Sequence, residues 1–348
     1  IRDLISPMFV VSDMVKDNGQ GGEYRTQYAY GSARTHLEGR GFLGFEQGIS
    51  YDCETDICYT ETLAQDFPFT GRQLKTETST IPDPSAEPGS EGYSQLIKQV
   101  HNTWQVDQVA GATMFAYTTR SVETKWELNN TNDIVSQVTA YNWFDFQDTA
   151  SLPPETQPTN LYAKISHGNL VKTLIDYGGG LMKTTVNSYD DWVTPTNWFL
   201  GRLDASTVTH ENSTSNIVRS SAFDYDADSG LLDREVIEPS NTLFELVTDY
   251  YYDDFGNITN KTLTPAGLPA RSVLANAYDT KGRFVEQSRN ALGHLTTFVN
   301  HPALGKPLSS TDPNGQTTQW QYGPTGRTVY ELRPDGTSTT NEYTWDFD

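Results

Sequence analysis

Four times between residues 252 and 336 the chain repeats one pattern: an aromatic or His, a short turn, a Gly, a strand-like run, and a second turn closed by another Gly. The copies open at Tyr252-Asp253-Asp254-Phe255-Gly256, Tyr278-Asp279-Thr280-Lys281-Gly282, His301-Pro302-Ala303-Leu304-Gly305 and Tyr322-Gly323-Pro324-Thr325-Gly326. First glycines are spaced by 26, 23 and 21 residues, and second glycines follow them by 11, 11, 10 and 10. A constant inner spacing with a variable outer one predicts a hairpin arm of fixed length beside an adjustable partner strand. Glycine supplies the left-handed backbone of tight turns, and Pro presets the preceding turn residue.

The aromatic residues keep the period of a strand. Tyr250 and Tyr252, Asn276 and Tyr278, Val299 and His301, and Trp320 and Tyr322 each stand two apart, hence on one face. Successive copies are expected to stack rings in rows, with His301 replacing a stacking Tyr. Tyr225-Asp226 with Gly230, and Tyr189-Asp190 with Trp198 and Gly201-Arg202, read as earlier copies carrying insertions. Tyr343-Thr344-Trp345-Asp346 reads as the start of a fifth, so the chain is expected to be a piece of a longer repeat protein.

Upstream, the alternation in Thr113–Thr118 and Ser136–Tyr141 predicts half-buried strands, while Gln95–Asn102 fits a helix or a strand. Ile81–Gly92 and Ser151–Pro158 read as exposed loops. The expected organisation is a β segment over 1–80, a middle β segment over 81–185 and a repeat region over 186–348.

Charge narrows the function classes. With 24 Lys+Arg against 45 Asp+Glu, the net charge of −21 opposes binding to nucleic acid or anionic lipid. No segment has the run of about 18 apolar residues that a membrane-spanning helix requires. Cys53 and Cys58 flank a short polar turn; a local disulfide and a pair of free thiols are both open.

Candidate chemistry is sparse. Asp253-Asp254 and Asp190-Asp191 are adjacent turn residues, whereas glycoside hydrolysis needs two carboxyls facing across a cleft. Asp224, Asp226 and Asp228 alternate like calcium-loop ligands but lack the Gly and distal Glu of that loop. Asn129, Asn212, Asn257 and Asn260 stand in glycosylation sequons. Gly178-Gly179-Gly180 is not followed by the Lys-Ser/Thr of a phosphate loop. No catalytic residue, cofactor or metal site is expected.

Tyr-Asp-x-x-Gly followed by Arg, Lys or Asn at this period resembles the YD repeats of RHS proteins. Tyr28-Ala29-Tyr30-Gly31, Gly39-Arg40-Gly41-Phe42-Leu43-Gly44-Phe45, Asp66-Phe67-Pro68-Phe69-Thr70-Gly71-Arg72 and Trp198-Phe199-Leu200-Gly201-Arg202-Leu203 resemble the B-type subunit of bacterial Tc toxins. The resemblance implies an all-β fold, a large curved, spiralling antiparallel sheet of YD hairpins forming part of a hollow shell. It marks Tyr252, Asp253, Gly256, Tyr278, Asp279, Gly282, Gly305, Tyr322 and Gly326 as repeat-defining structural residues. Such a shell encloses a toxic C-terminal polypeptide for delivery and performs no catalysis itself. Its partners would be the rest of the shell (further repeats or a C-type toxin subunit), the enclosed toxin and a delivery subunit, in a secreted or cell-surface setting. The sequence lacks the propeller, the self-cleavage segment and the toxin domain of a complete assembly. A cell-surface YD-repeat adhesion or carbohydrate-binding protein is the alternative, and a β-solenoid polysaccharide enzyme ranks third.

Overall fold

The computed structural model describes residues 2–3, 9–80, 95–108, 114–128, 133–145, 168–190, 192–193 and 198–343. The expected loops over 81–92 and 151–158, Asn129, and the residues from Thr344 onward lie outside these. Every regular element among the described residues is a strand. Twenty-three strands belong to one antiparallel sheet, and Trp192–Val193 with Trp198–Phe199 forms a separate two-stranded ribbon. The all-β, antiparallel expectation therefore holds. Gln95–Asn102, ambiguous in sequence, lies almost wholly in the strand Leu96–Gln108.

Two compact units divide the chain. The first comprises Ile1–Asp191, Leu200–Arg202 and Ser206–Val218. Its strands Glu23–His36, Gly41–Asp52, Ile57–Leu63, Gln73–Thr80, Leu96–Gln108, Met114–Trp126, Ile134–Phe144, Leu170–Asp176 and Met182–Tyr189 pair in chain order. Phe115, Tyr117 and Phe144 form an aromatic cluster with centroids 4.9 to 6.0 Å apart. Tyr117 is nearly buried, and its hydroxyl donates to Asp107.

The second unit comprises Trp192–Phe199, Leu203–Ala205 and Arg219–Asp348. From Leu232–Ile237 onward, Leu246–Tyr252, Ile258–Pro265, Arg271–Tyr278, Val285–Asn290, Leu295–Asn300, Pro307–Thr311, Thr317–Tyr322, Thr328–Leu332 and Ser338–Thr340 follow one another as neighbours. Sequential hairpins need only short loops, which the recurrent Gly and Asp turns provide.

A sheet with no helix packed on it buries little completely. Among the described residues Leu43, Ala64 and Tyr117 are the buried apolar ones, and no side chain is less than 2% exposed. The two faces still differ. Phe223, Tyr250, Asn276, Phe298 and Trp320 share one face through the ladder and are half-buried. The residue after each, Asp224, Tyr251, Ala277, Val299 or Gln321, points to the other face and is exposed.

The rows are not ring-on-ring stacks, which corrects that expectation. Row members lie on alternate strands, about 10 Å apart. Intervening side chains fill the gap: Lys261 Nζ is 5.0 Å from the Tyr250 ring and Lys306 Nζ 5.5 Å from the Tyr322 ring. On the flanking strands, Glu235 accepts from Tyr250 at 3.3 Å and Glu331 from the Trp320 indole at 3.2 Å.

Candidate functional site

The recurrent unit is a turn latched by an aspartate. Asp253 Oδ1 accepts from the amides of Phe255 and Asn257, both at 2.9 Å. Asp279 Oδ1 accepts from Arg283 N at 2.6 Å and Phe284 N at 3.3 Å. Asp226 holds Ser229 N and Oγ at 2.7 Å. The hairpin turns at the opposite strand ends use the same device, with Asp312 on Gln316 N at 2.8 Å and Asp335 on Thr337 N at 2.9 Å. These amides favour the ionised carboxylate. The Arg283 amide thus holds Asp279 below its ordinary 3.8, the Gln316 amide does so for Asp312, and the Thr337 hydroxyl for Asp335. At Asp253 burial is the largest single influence and opposes this, but the Asn257 side chain and the backbone amides together still lower it.

Each turn places Gly256, Gly282, Gly305 and Gly326 at φ of +83°, +64°, +65° and +74°. Steric space is a second demand. A Cβ on Gly282 would stand 2.3 Å from the Phe255 ring, on Gly230 2.5 Å from Phe199, on Gly305 3.1 Å from Phe284 and on Gly326 3.2 Å from Leu304. One turn's apolar side chain thus covers the next turn's glycine, so turns stack from copy to copy.

The repeat tyrosines act through their hydroxyls. Tyr252 donates to Leu232 O at 2.7 Å, Tyr278 to Ile258 O at 3.3 Å and Tyr322 to Pro307 O at 2.7 Å. Tyr225, Tyr189 and Tyr343 do the same to Leu203, Leu170 and Thr328, at 3.1, 3.0 and 3.1 Å. Each accepting carbonyl belongs to the first residue of the preceding strand, where the turn feeds into the ladder. Burial pushes the Tyr252 and Tyr322 phenols upward, which keeps the donated proton in place.

The third copy departs from the expected register. His301 does not stand at the tyrosine position. Asn300 does, and its Nδ2 donates to Val285 O at 2.8 Å. His301 takes the aspartate's place, accepting through Nδ1 from Ala303 N at 3.2 Å and Leu304 N at 3.1 Å. The turn is one residue longer, because Gly305 N bonds back to His301 O while Gly256 and Gly282 bond back only three residues. The row pair is therefore Phe298 and Asn300, and Val299 is 58% exposed on the other face. A one-residue slip exchanges faces.

A second clamp was not anticipated. Asn187 Nδ2 shares Leu170 O with Tyr189 at 3.1 Å, and Asn341 shares Thr328 O with Tyr343 at 3.1 Å. Far upstream, Asn102 at 3.1 Å and the Trp104 indole at 2.9 Å both donate to Gln73 O. Asn142, two residues before Phe144, donates to Thr118 O at 3.2 Å. The signal was an Asn two positions before an aromatic; it recurs without any Tyr-Asp.

The opening motifs converge in the first unit. Gln65 is 5% exposed, and its Nε2 donates to Ser32 O at 2.6 Å and Gly44 O at 2.9 Å. The Arg40 guanidinium lies 3.4 Å from the Phe67 ring centroid, and Phe45 packs against Tyr30 and Phe42 with centroids 4.9 and 5.6 Å apart. Cys53 and Cys58 are both free thiols; Cys58 faces Tyr51 across the ladder while Cys53 lies beyond the strand end. Among the described residues, no three His, Cys, Asp or Glu converge as a metal site, and no helix is long and apolar enough to cross a membrane. Asp226 is committed to its turn, and Asp224 lies in the strand opposite Arg234.

These turns and clamps coincide with a known repeat. Residues 301–338 match the family model of the RHS repeat. No curated protein sequence matches the chain. Among solved structures, the RHS-type sheet is similar to the TcdB2-TccC3-Cdc42 chain, at TM-score 0.56 and 10% identity over 89% of this chain and 21% of that one. TcdB2-TccC3 without its hypervariable C-terminal region aligns with TM-score 0.55 and 11% identity over 96% of this chain and 22% of that one. A chain of the Photorhabdus luminescens Tc holotoxin pore aligns with TM-score 0.52 and 12% identity over 89% and 21%. The chain thus shares its β-sheet fold with these TcdB2-TccC3 and Tc holotoxin chains and spans about a fifth of their length.

Proposed function

We propose that this chain is a structural segment of an RHS β-shell that encloses and protects a toxic C-terminal polypeptide for delivery, with no catalysis of its own. The observation that carries the reading is the copy-to-copy tie. In the second unit the Asp226, Asp253, Asp279 and His301 turns are latched within themselves, Tyr252, Tyr278 and Tyr322 clamp onto the preceding strand, and Gly230, Gly282, Gly305 and Gly326 are covered by the neighbouring turn, so successive hairpins are tied copy to copy. Such a sheet can isolate a polypeptide by closing on itself, since closure removes sheet edges. The fold shared with Tc toxin chains supports this. Its partners are then the remainder of the shell, from further repeats or a C-type subunit, the enclosed toxin, and a delivery subunit. The setting is secreted or cell-surface. The test is limited proteolysis of the full-length gene product containing this segment. Under native conditions a C-terminal fragment should survive and then be degraded once the shell is denatured. Digestion of that region as fast as the exposed loops would overturn the reading.

A further inference from the structure

Asp226, Asp253, Asp279, Asp312 and Asp335 latch turns of the repeat region through carboxylates and Asn290 through an amide oxygen, while His301 uses an imidazole. His301 Nδ1 accepts from two backbone amides, which requires a neutral ring with its proton on Nε2. A proton on Nδ1 turns that acceptor into a donor aimed at two other donors. Histidine is the side chain that ordinarily changes charge between pH 5 and 8. The aspartate latches hold the opposite bias, since their amide partners keep the carboxylates ionised into stronger acid.

We propose that the His301–Gly305 turn is an acid-sensitive latch: protonation of His301 releases Ala303 and Leu304 and loosens the junction between the third and fourth copies while the aspartate turns stay closed. Two ties hang on this turn. Leu304 covers Gly326, and Lys306 Nζ donates to Gly326 O at 2.7 Å. Nothing charged offsets the added proton. Lys306, on the same turn, is a cation; Asp279 and Arg283 of the preceding turn pair with each other at 2.9 Å; Arg327 of the next turn stands over the Tyr343 ring at 5.1 Å. Glu286 stands near the start of the adjoining strand Val285–Asn290, and His301 has no ion pair among the described residues. The latch belongs to the sheet and does not depend on an enclosed cargo.

Hydrogen exchange of this chain, corrected for intrinsic rates, at pH 7.5 and pH 5.0 tests it. Protection over 301–306 should drop about tenfold at the lower pH while the Asp279 turn stays unchanged. His301→Asp should abolish the drop, and Asp279→His should transfer it to the second copy. Equal behaviour of the two wild-type turns, or a drop that persists in His301→Asp, overturns the proposal. If His301→Asp does not fold, the wild-type comparison and Asp279→His decide.

Discussion

The ring of Phe255 fills the space a side chain on Gly282 would need, 2.3 Å from where its Cβ would stand. Gly282 is therefore required for room as well as for its φ of +64°. Gly293, at φ +79°, has nothing within 4 Å of its Cβ position. Gly282→Ala is expected to cost about 2–4 kcal/mol and Gly293→Ala about 1 kcal/mol. Denaturant midpoints of the two variants check the difference; equal losses would remove the stacking contribution.

Tyr252 and Tyr189 make the same bond with different backup. Leu170 O keeps Asn187 as a donor when the Tyr189 hydroxyl is lost, whereas Tyr252 donates to Leu232 O at 2.7 Å without such a companion. Tyr252→Phe should cost about 1 kcal/mol and Tyr189→Phe clearly less. Thermal unfolding of both variants measures the gap.

Gln65 satisfies two carbonyls from one amide nitrogen, 33 and 21 residues away in sequence. Gln65→Ala leaves Ser32 O and Gly44 O without that donor and is expected to cost about 2–3 kcal/mol. Faster proteolysis within residues 30–72 would be the readout, with the repeat region unchanged.

Acid should weaken the aspartate turns in a defined direction. Asp279, Asp312 and Asp335 have folded-state values depressed below the ordinary 3.8. Their contribution is complete above the unfolded value and is lost as pH falls through the folded one, so stability declines below about pH 4. Asp279→Asn should flatten this decline at the second copy. A steeper decline in the variant would contradict the sign.

Much of this was legible from residue order because turn chemistry is local. Asp253 acts with Gly256, and Asp279 with Gly282, within five residues, and the alternation of Tyr250 with Tyr252 assigns a face wherever a strand forms. The ring stacks were misread because spacing along one strand says nothing about what the strand between two copies carries; Glu235, Lys261 and Glu331 occupy that space. The clamps of Asn102 and Trp104 on Gln73 O were hidden for the same reason, since their acceptor lies about 30 residues upstream.

By residue order alone, this protein was bound to be a succession of antiparallel hairpins with glycine and aspartate turns, because backbone handedness and side-chain parity are set within a few residues. Only the tertiary structure decided that Asn300, not His301, clamps the third copy, and that Gly230, Gly282, Gly305 and Gly326 are roofed by the preceding turn. Those outcomes depend on register across strands, where a one-residue shift in pairing turns a strand's side chains to the opposite face.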